Sequence, residues 1–503
     1  MAKRTRAHAL YAAGSNSHGQ LGPSHRDDLA TWTRISLSPP LDRTAVKSIA
    51  CGANHSLVVV TDPRGRAHLV GAGSDARGQL SSRPDRRLRL AIEPLDLEQL
   101  CESLNLALTL ASYEVEHVAA SWETSFVVLR PRDPASRASD VLLSFGANDW
   151  GERGSESAVQ DEASVVDLEG APLEAERRET TLRVVDLVAG PRHALALVEL
   201  VHSSSPPSQA VAPRRRRLLG WGASRHGQLG LAPSSSSPPR TTPVPREVLL
   251  PAPHDAADVV RLSVGRDHSA VLVRRAGDED DKIVLLGSNK HGQLGAPLGG
   301  HDAVASASAR HHVMHGADLG SSTASQAGHV VAAVHCTWSS TFLALSPSSS
   351  LPPILAFGLN GHGQLGAPSA PSTPPSSSRP GVAPALPSSR TVHALAAGSE
   401  HVLALLDGDG GDGEGVAGRQ VWGWGWNEHG NLGLAAGERE GAREGEGQEE
   451  GVVVPADVRT PRRVWPPDEG ERGEGFVRPR GRPVRVWAGM ASSWVLLDEE
   501  EAG

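Results

Sequence analysis

Short apolar stretches, each closed by a glycine-rich polar turn, recur along the whole chain. The stretches read ALYAAG, AHLVGAG, VLLSFG, RLLGWG, IVLLGS, ILAFG and QVWGWG. Each runs into a copy of one motif: GSNSHGQLG from Gly14, GSDARGQLS from Gly73, GANDWGERG from Gly146 and GASRHGQLG from Gly222. GSNKHGQLG from Gly287, GLNGHGQLG from Gly358 and GWNEHGNLG from Gly425 complete the set of seven. A second pattern keeps step with the first: IACGANHSLVVV, VAASWETSFVVL, LVAGPRHALAL, LSVGRDHSAVLV, VHCTWSSTFLAL, LAAGSEHVLAL and VWAGMASSWVLL. Its alternation of small and large apolar residues predicts a strand, a tight turn and a second strand, buried between layers.

The first motif has a physical logic. Its opening Gly ends a strand, and the Asn or Ser that follows offers a side chain to the turn backbone. The central Gly tolerates positive φ, and the Leu of GQLG returns to the core between neighbouring repeats. Units of this size, each supplying about four strands, predict an all-β chain folded as a seven-bladed β-propeller. The chain opens on a first-motif strand and closes on a second-motif strand. The two termini are therefore expected to share a blade and close the ring, removing free sheet edges. Residues 1–503 read as a single propeller. Low-complexity inserts near 201–217, 232–253, 296–328, 367–390, 407–419 and 434–483 read as long disordered loops without a fold of their own.

Composition supports this reading and narrows the function. Glycine (54) and proline (37) are abundant and tryptophan (11) is the favoured aromatic, which suits short strands and tight turns. A net charge of −9 over 503 residues gives no overall attraction to nucleic acid or an anionic membrane. Cys51, Cys101 and Cys336 form no spaced framework, so a reducing compartment is expected. The start, MAKRTRAHALYAAG, has too short an apolar run for a secretory signal. No stretch has the apolar length of a membrane span, and a soluble intracellular protein is expected.

Candidate chemistry is sparse. His18, His226, His291, His362 and His429 in the first motif, and His55, His193, His268 and His401 in the second, are spread around the ring by repetition. They read as turn-stabilising groups rather than metal ligands. The acidic run from Asp407 lacks the closing Glu of a calcium loop. The triplet His311, His312 and His315 falls in a Ser/Ala-rich insert, and Arg214 to Arg217 read as a charged loop end. Phosphate loop, nucleophile elbow and zinc-spaced cysteine pair are all missing. No metal, cofactor or catalytic residue is expected. The sharper signal lies where the repeat breaks. In the second and fifth copies of the second motif Gly and His vanish together, and Trp122 and Trp338 enter the turn. Both are expected on one face, in contact with a protein partner, with Glu123 available to a basic group. In VWGWGWNEHG, Trp422 and Trp424 read as core and Trp426 as a further contact residue in the turn.

Gly-x-Asn-x-x-Gly-Gln-Leu-Gly paired with Cys-Gly-x-x-His-Ser resembles the regulator-of-chromosome-condensation repeat. SIACGANHSLVVVTD, VAASWETSFVVL, VWGWGWNEHGNLG and the terminal VWAGMASSWVLL look together like the fungal alpha-tubulin suppressor, or killer-toxin-insensitivity, propellers. That resemblance implies a monomeric binding scaffold, not an enzyme. Its implied partner is a small zinc-ribbon protein of diphthamide synthesis, with Elongator components and tRNA wobble-uridine modification downstream. It implies a cytoplasmic and nuclear location. The alternative is a guanine-nucleotide exchange factor for a Ran-type GTPase. A ligase- or kinase-accessory propeller is a third reading, without a catalytic domain to support it.

Overall fold

In the computed structural model the chain forms seven antiparallel sheets, six of four strands and one of three. The structure describes residues 6–37, 45–81, 88–106, 109–157, 163–169, 180–202, 215–230, 239–275, 277–278, 281–295, 311–315, 319, 331–346, 351–367, 381–387, 390–408, 418–434, 455–467 and 481–500. From the inside outwards, blade I holds Gly481–Ala488, Ser492–Glu500, Arg6–Gly14 and Leu29–Ile35. Blade II holds Ala45–Cys51, His55–Thr61, Ala67–Ser74 and Leu88–Pro94, and blade III Tyr113–Ala120, Thr124–Pro131, Val141–Gly146 and Ser164–Val165. Blade IV holds Thr180–Ala189, His193–His202, Arg215–Ala223 and Thr241–Glu247, and blade V Val259–Val264, His268–Val273, Lys282–Gly287 and His311–His315. Blade VI holds Val331–Cys336, Ser340–Leu345 and Ile354–Gly358, and blade VII Val392–Ala397, His401–Asp407, Arg419–Trp426 and Asp457–Trp465. From blade II round to blade I the first strand of each blade packs against the first strand of the next, and Arg485 bonds the Lys47 carbonyl across the last seam, so these strands surround a central channel.

The ring closes in blade I as the repeat phase predicts. Arg6–Gly14 pairs along its whole length with Ser492–Glu500, from Arg6 opposite Glu500 to Gly14 opposite Ser492. Aromatic packing seals the neighbouring seam with blade VII. The Trp465 ring lies 4.9 Å from Tyr11 and meets Trp32 edge-on at 6.0 Å.

The first motif works as its sequence suggests. The central glycines, Gly19, Gly78, Gly151, Gly227, Gly292, Gly363 and Gly430, all have φ between 73° and 80°. In six blades the Asn or Asp side chain accepts the N–H five residues on, as Asn16 does from Leu21 at 3.0 Å and Asp75 from Leu80 at 2.7 Å. The motif leucines are buried. Leu21 packs with Val70 and Ile92 of the next blade, and Leu80 with Val115 and Val127.

One feature escaped the sequence pattern. In every blade the pairing of the first two strands slips by one residue at the same place, from Val46/Ser48 in blade II to Pro483/Arg485 in blade I. These bulges twist the channel-lining strands.

The insert boundaries need correction. Thr241–Glu247, His311–His315 and Asp457–Trp465 are outer strands inside the ranges 232–253, 296–328 and 434–483. Arg215–Arg217 begin a strand, and Val382 bridges Ala356 at the edge of blade VI. An outermost strand has one paired neighbour and one packed face, so its apolar pattern is weak. TTPVPRE and DVRTPRRVW therefore read as loop. The bulk of the Ser/Pro and Gly/Glu inserts, and most of the acidic run after Asp407, lie outside the described residues.

Candidate functional site at the channel mouth

The second-motif turns crowd around one end of the channel. Their main chains form a chain of hydrogen bonds from blade to blade. The Ala53 N–H donates to the Trp122 carbonyl (2.8 Å), and the Trp122 N–H to the Pro191 carbonyl (3.2 Å). Arg266 donates to Trp338 (3.1 Å), Trp338 to Ser399 (2.8 Å) and Ser399 to Gly489 (3.0 Å). Between blades IV and V the series is interrupted, because Pro191 has no N–H to give.

Histidine does a different job from the turn-stabilising one expected of it. His55, His193, His268 and His401 are fully buried. Each Nε2 meets a hydroxyl on the next blade: Ser125 (3.0 Å), Ser269 (2.9 Å), Thr341 (3.0 Å) and Ser493 (3.0 Å). The Ser125 and Thr341 hydroxyls donate onward to the carbonyls of Gln79 and Gln293. In these two clamps the imidazole must therefore be the donor, protonated on Nε2. Burial pushes the four imidazoles down to between about 3 and about 4. A Cβ on Gly52, Gly265 or Gly398 would run into the imidazole, so the histidine there requires the glycine.

Blade I has Ser492 in place of the histidine, although blade II keeps the hydroxyl as Ser56; at the other two seams without the clamp both halves are absent. Blade III has Thr124 facing Ala194 of blade IV in the register, and blade VI has Ser340 facing Val402 of blade VII. The Thr124 and Ser340 hydroxyls instead donate to the Ala147 and Leu359 carbonyls of their own blades. Freed of an imidazole, the glycine position becomes Ser121 or Thr337, and the next residue becomes tryptophan.

Trp122 and Trp338 do more than share a face. They belong to blades III and VI, yet their rings lie 5.8 Å apart at an angle of 36°. The pair therefore spans the channel mouth. Trp122 is one of the few large apolar residues left exposed, at 44%. Beside the pair is a cleft of about 340 Å³, lined also by Glu123, Asp149, Trp150, Glu152, Pro191, Arg192 and Arg266. The Arg192 guanidinium stacks 4.5 Å above the Trp150 ring, a cation–π contact.

The acids of the cleft are largely occupied. Glu123 accepts from Asn54 Nδ2 at 2.9 Å and lies 3.5 Å from Arg77, which also pairs with Asp149. It is thus an internal tether rather than the free partner group expected. Burial raises the Glu152 carboxyl, which accepts from the Trp150 N–H at 2.6 Å. Across the mouth, burial lifts Glu400 to about 7, against a hydrogen bond from Gln364.

Trp426 lies on the same face but apart from this cleft. It sits between His362 (6.3 Å) and His429 (5.3 Å), which bond Asp457 and Asp28. Trp424 is core as expected, whereas Trp422 is only half-buried, with Arg390 stacked on it at 5.5 Å. Sequence reasoning missed Trp150, Glu152 and Arg192. The signal was present, because GANDWGERG puts Trp150, Glu152 and Arg153 where other copies have His, Gln and Leu. Among the described residues no group of three or more His, Cys, Asp or Glu is placed to hold a metal ion, and no helix is long and apolar enough to cross a membrane.

Comparison with known proteins fits the geometry. The profile of the "Regulator of chromosome condensation (RCC1) repeat" matches residues 8–59 and 217–272. The chain carries RCC1 repeats. As an RCC1-repeat propeller it is similar in sequence to the secretion-regulating guanine nucleotide exchange factor of Bos taurus, 27% identical over 293 residues, or 57% of this chain and 50% of that one. The Mus musculus protein of the same name is 28% identical over 294 residues, with the same coverage. The chain spans about half the length of these curated relatives. In structure it is similar to human WBSCR16, with a TM-score of 0.61 at 16% identity, covering 98% of this chain and 100% of that one. Prp20p of Saccharomyces cerevisiae gives the same score and identity, covering 98% and 92%. At this identity the two structures speak for the shared fold of the RCC1-repeat propeller.

Proposed function

We propose that the chain is a protein-binding propeller that docks its partner on the channel-mouth face, with Trp122 and Trp338 as the anchor. The observation that carries this reading is the indole pair, exposed Trp122 on half-buried Trp338, built where the repeat gives up its inter-blade clamp. Exposed aromatic side chains beside a fixed guanidinium are the composition of binding hot spots. Trp426 and its flanking histidines form a second patch on the same face.

Two observations support two partners. The motifs of blades II, III and VII and the terminal VWAGMASSWVLL support a small zinc-ribbon protein of diphthamide synthesis, with Elongator components beyond it, in the cytoplasm and nucleus. The names of the curated relatives support a second reading, nucleotide exchange on a Ran-type small GTPase; Prp20p, which has the same fold, is described by its binding to Gsp1p and histones. Calorimetric titration with the zinc-ribbon protein, beside release of a fluorescent guanine nucleotide from a Ran-type GTPase, separates them. Saturable binding without nucleotide release supports the first. Catalytic nucleotide release overturns it in favour of the second.

A further inference from the structure

The opposite face of the propeller carries a cavity that the docking reading does not use. It encloses about 310 Å³ between blades IV and V, and its walls are Arg216, Arg261 and Arg274 with Val185, Val259, Val260 and Ala332. No carboxylate lines it. The three guanidinium groups come from three different strands or strand ends, and main-chain oxygens hold each of them. Arg216 donates to the Val259 carbonyl (3.1 Å), Arg261 to Val260 (2.9 Å) and Arg274 to Val331 (2.8 Å).

Two of the three charges are balanced behind the wall. Arg216 pairs with Glu199 at 3.1 Å and Arg274 with Asp281 at 2.8 Å. Arg261 is exposed and donates to a carbonyl, with the Asp186 carboxyl in electrostatic reach but making no ion pair with it. It follows the bulge of its inner strand, which carries it to the channel opening. A guanidinium has five N–H donors, so each arginine keeps donors unused by these bonds. Three oriented forks around an apolar floor, one of them without an ion-pair partner at contact distance, suit a compact oxyanion with oxygens on several sides. A planar carboxylate is satisfied by a single fork. The adjoining cavity shares Val185 and Arg216 but is of mixed charge, with Arg130, Arg132 and Arg183 beside Glu114, Glu116 and Glu199, so the carboxylate-free lining is confined to the three arginines.

We propose that Arg216, Arg261 and Arg274 form a binding site for a phosphoryl group, either of a free phosphate compound or of a phosphorylated partner side chain. This site is independent of the tryptophan face. The test is calorimetric titration of the full chain at low ionic strength with pyrophosphate and with a phosphoserine peptide. The same peptide carrying glutamate in place of phosphoserine is the control. Saturable binding of a phosphate probe is expected, with Arg261→Gln weakening it about tenfold and Arg261→Lys by less, since lysine keeps the charge but loses the fork. Melting temperatures should not change, because Arg261 contributes one exposed hydrogen bond to the fold. Tighter binding of the phosphopeptide assigns the site to a modified protein, and tighter pyrophosphate binding to a free compound. No saturable binding of either phosphate probe overturns the proposal. Equal binding by Arg261→Gln, or a glutamate peptide as tight as the phosphopeptide, does the same.

Discussion

Acidification should unfold this propeller through its inter-blade histidines, and the size of the effect follows from their burial. His55, His193, His268 and His401 have folded values between about 3 and about 4, against an ordinary value of 6.5. A base with a depressed folded pKa takes up its proton mainly in the unfolded chain. Its stabilisation is therefore complete above 6.5 and is lost as pH falls below it. Between about pH 7.5 and about pH 5.5 each histidine should cost about 1.4 kcal/mol, or roughly 5–6 kcal/mol for the four. Glu400 opposes them. Its carboxyl, raised to about 7 from 4.5, favours folding when protonated and loses that contribution as pH rises. Over the same interval it offsets about 2 kcal/mol. The net loss from these five groups is about 4 kcal/mol, to which His335, also pushed down to about 4 by burial, adds about 1.4 kcal/mol; that is a large share of the roughly 5–15 kcal/mol that keeps a domain folded. Urea denaturation at the two pH values measures it. The double variant His193→Thr/Ser269→Ala copies the arrangement the chain itself uses between blades III and IV, and should remove about a quarter of the contribution of the four inter-blade histidines. Equal urea midpoints at the two pH values, or an unchanged pH dependence in the double variant, would refute the reasoning.

Further outcomes are expected. Gly265→Ala should cost about 1–3 kcal/mol in urea denaturation, because its Cβ would collide with the His268 ring. Trp122→Ala should weaken partner binding by about 2 kcal/mol, read by calorimetry, with little change in melting temperature because the ring is 44% exposed. Removing Ser492–Glu500 should abolish the cooperative transition seen by circular dichroism, since Arg6–Gly14 loses its entire inner neighbour.

The architecture was legible because it repeats. Seven turns with glycine in the left-handed region and seven leucines or their stand-ins leave a periodic trace that one local copy would not. The outer strands were illegible for the opposite reason: TTPVPRE and DVRTPRRVW bury too little on one face to show an alternation. Trp122 and Trp338 stood out as breaks in the repeat. Their mutual contact did not, because it joins residues from blades III and VI through the geometry of the ring. The histidine clamps could have been read from the residue that follows each histidine position. Ser125, Ser269, Thr341 and Ser493 occur one blade after each buried histidine, and Ala194 and Val402 follow blades III and VI, which lack one; Ser56, after the histidine-free blade I, departs from this rule. Arg216, Arg261 and Arg274 carry no common motif, so only the folded chain brings them together.

The shared blade has a consequence for how the protein is made. Gly14 lies opposite Ser492, so the first strand leaves the ribosome long before its inner neighbour exists. At ordinary rates of synthesis the wait is roughly half a minute to a minute and a half. Throughout that time the nascent chain exposes one bare strand edge at its beginning and another at its growing end, with the apolar faces of blades I and VII uncovered. Both are templates for pairing with another chain. Newly made protein should therefore depend on chaperones until the last strand is released, whereas the finished ring should not.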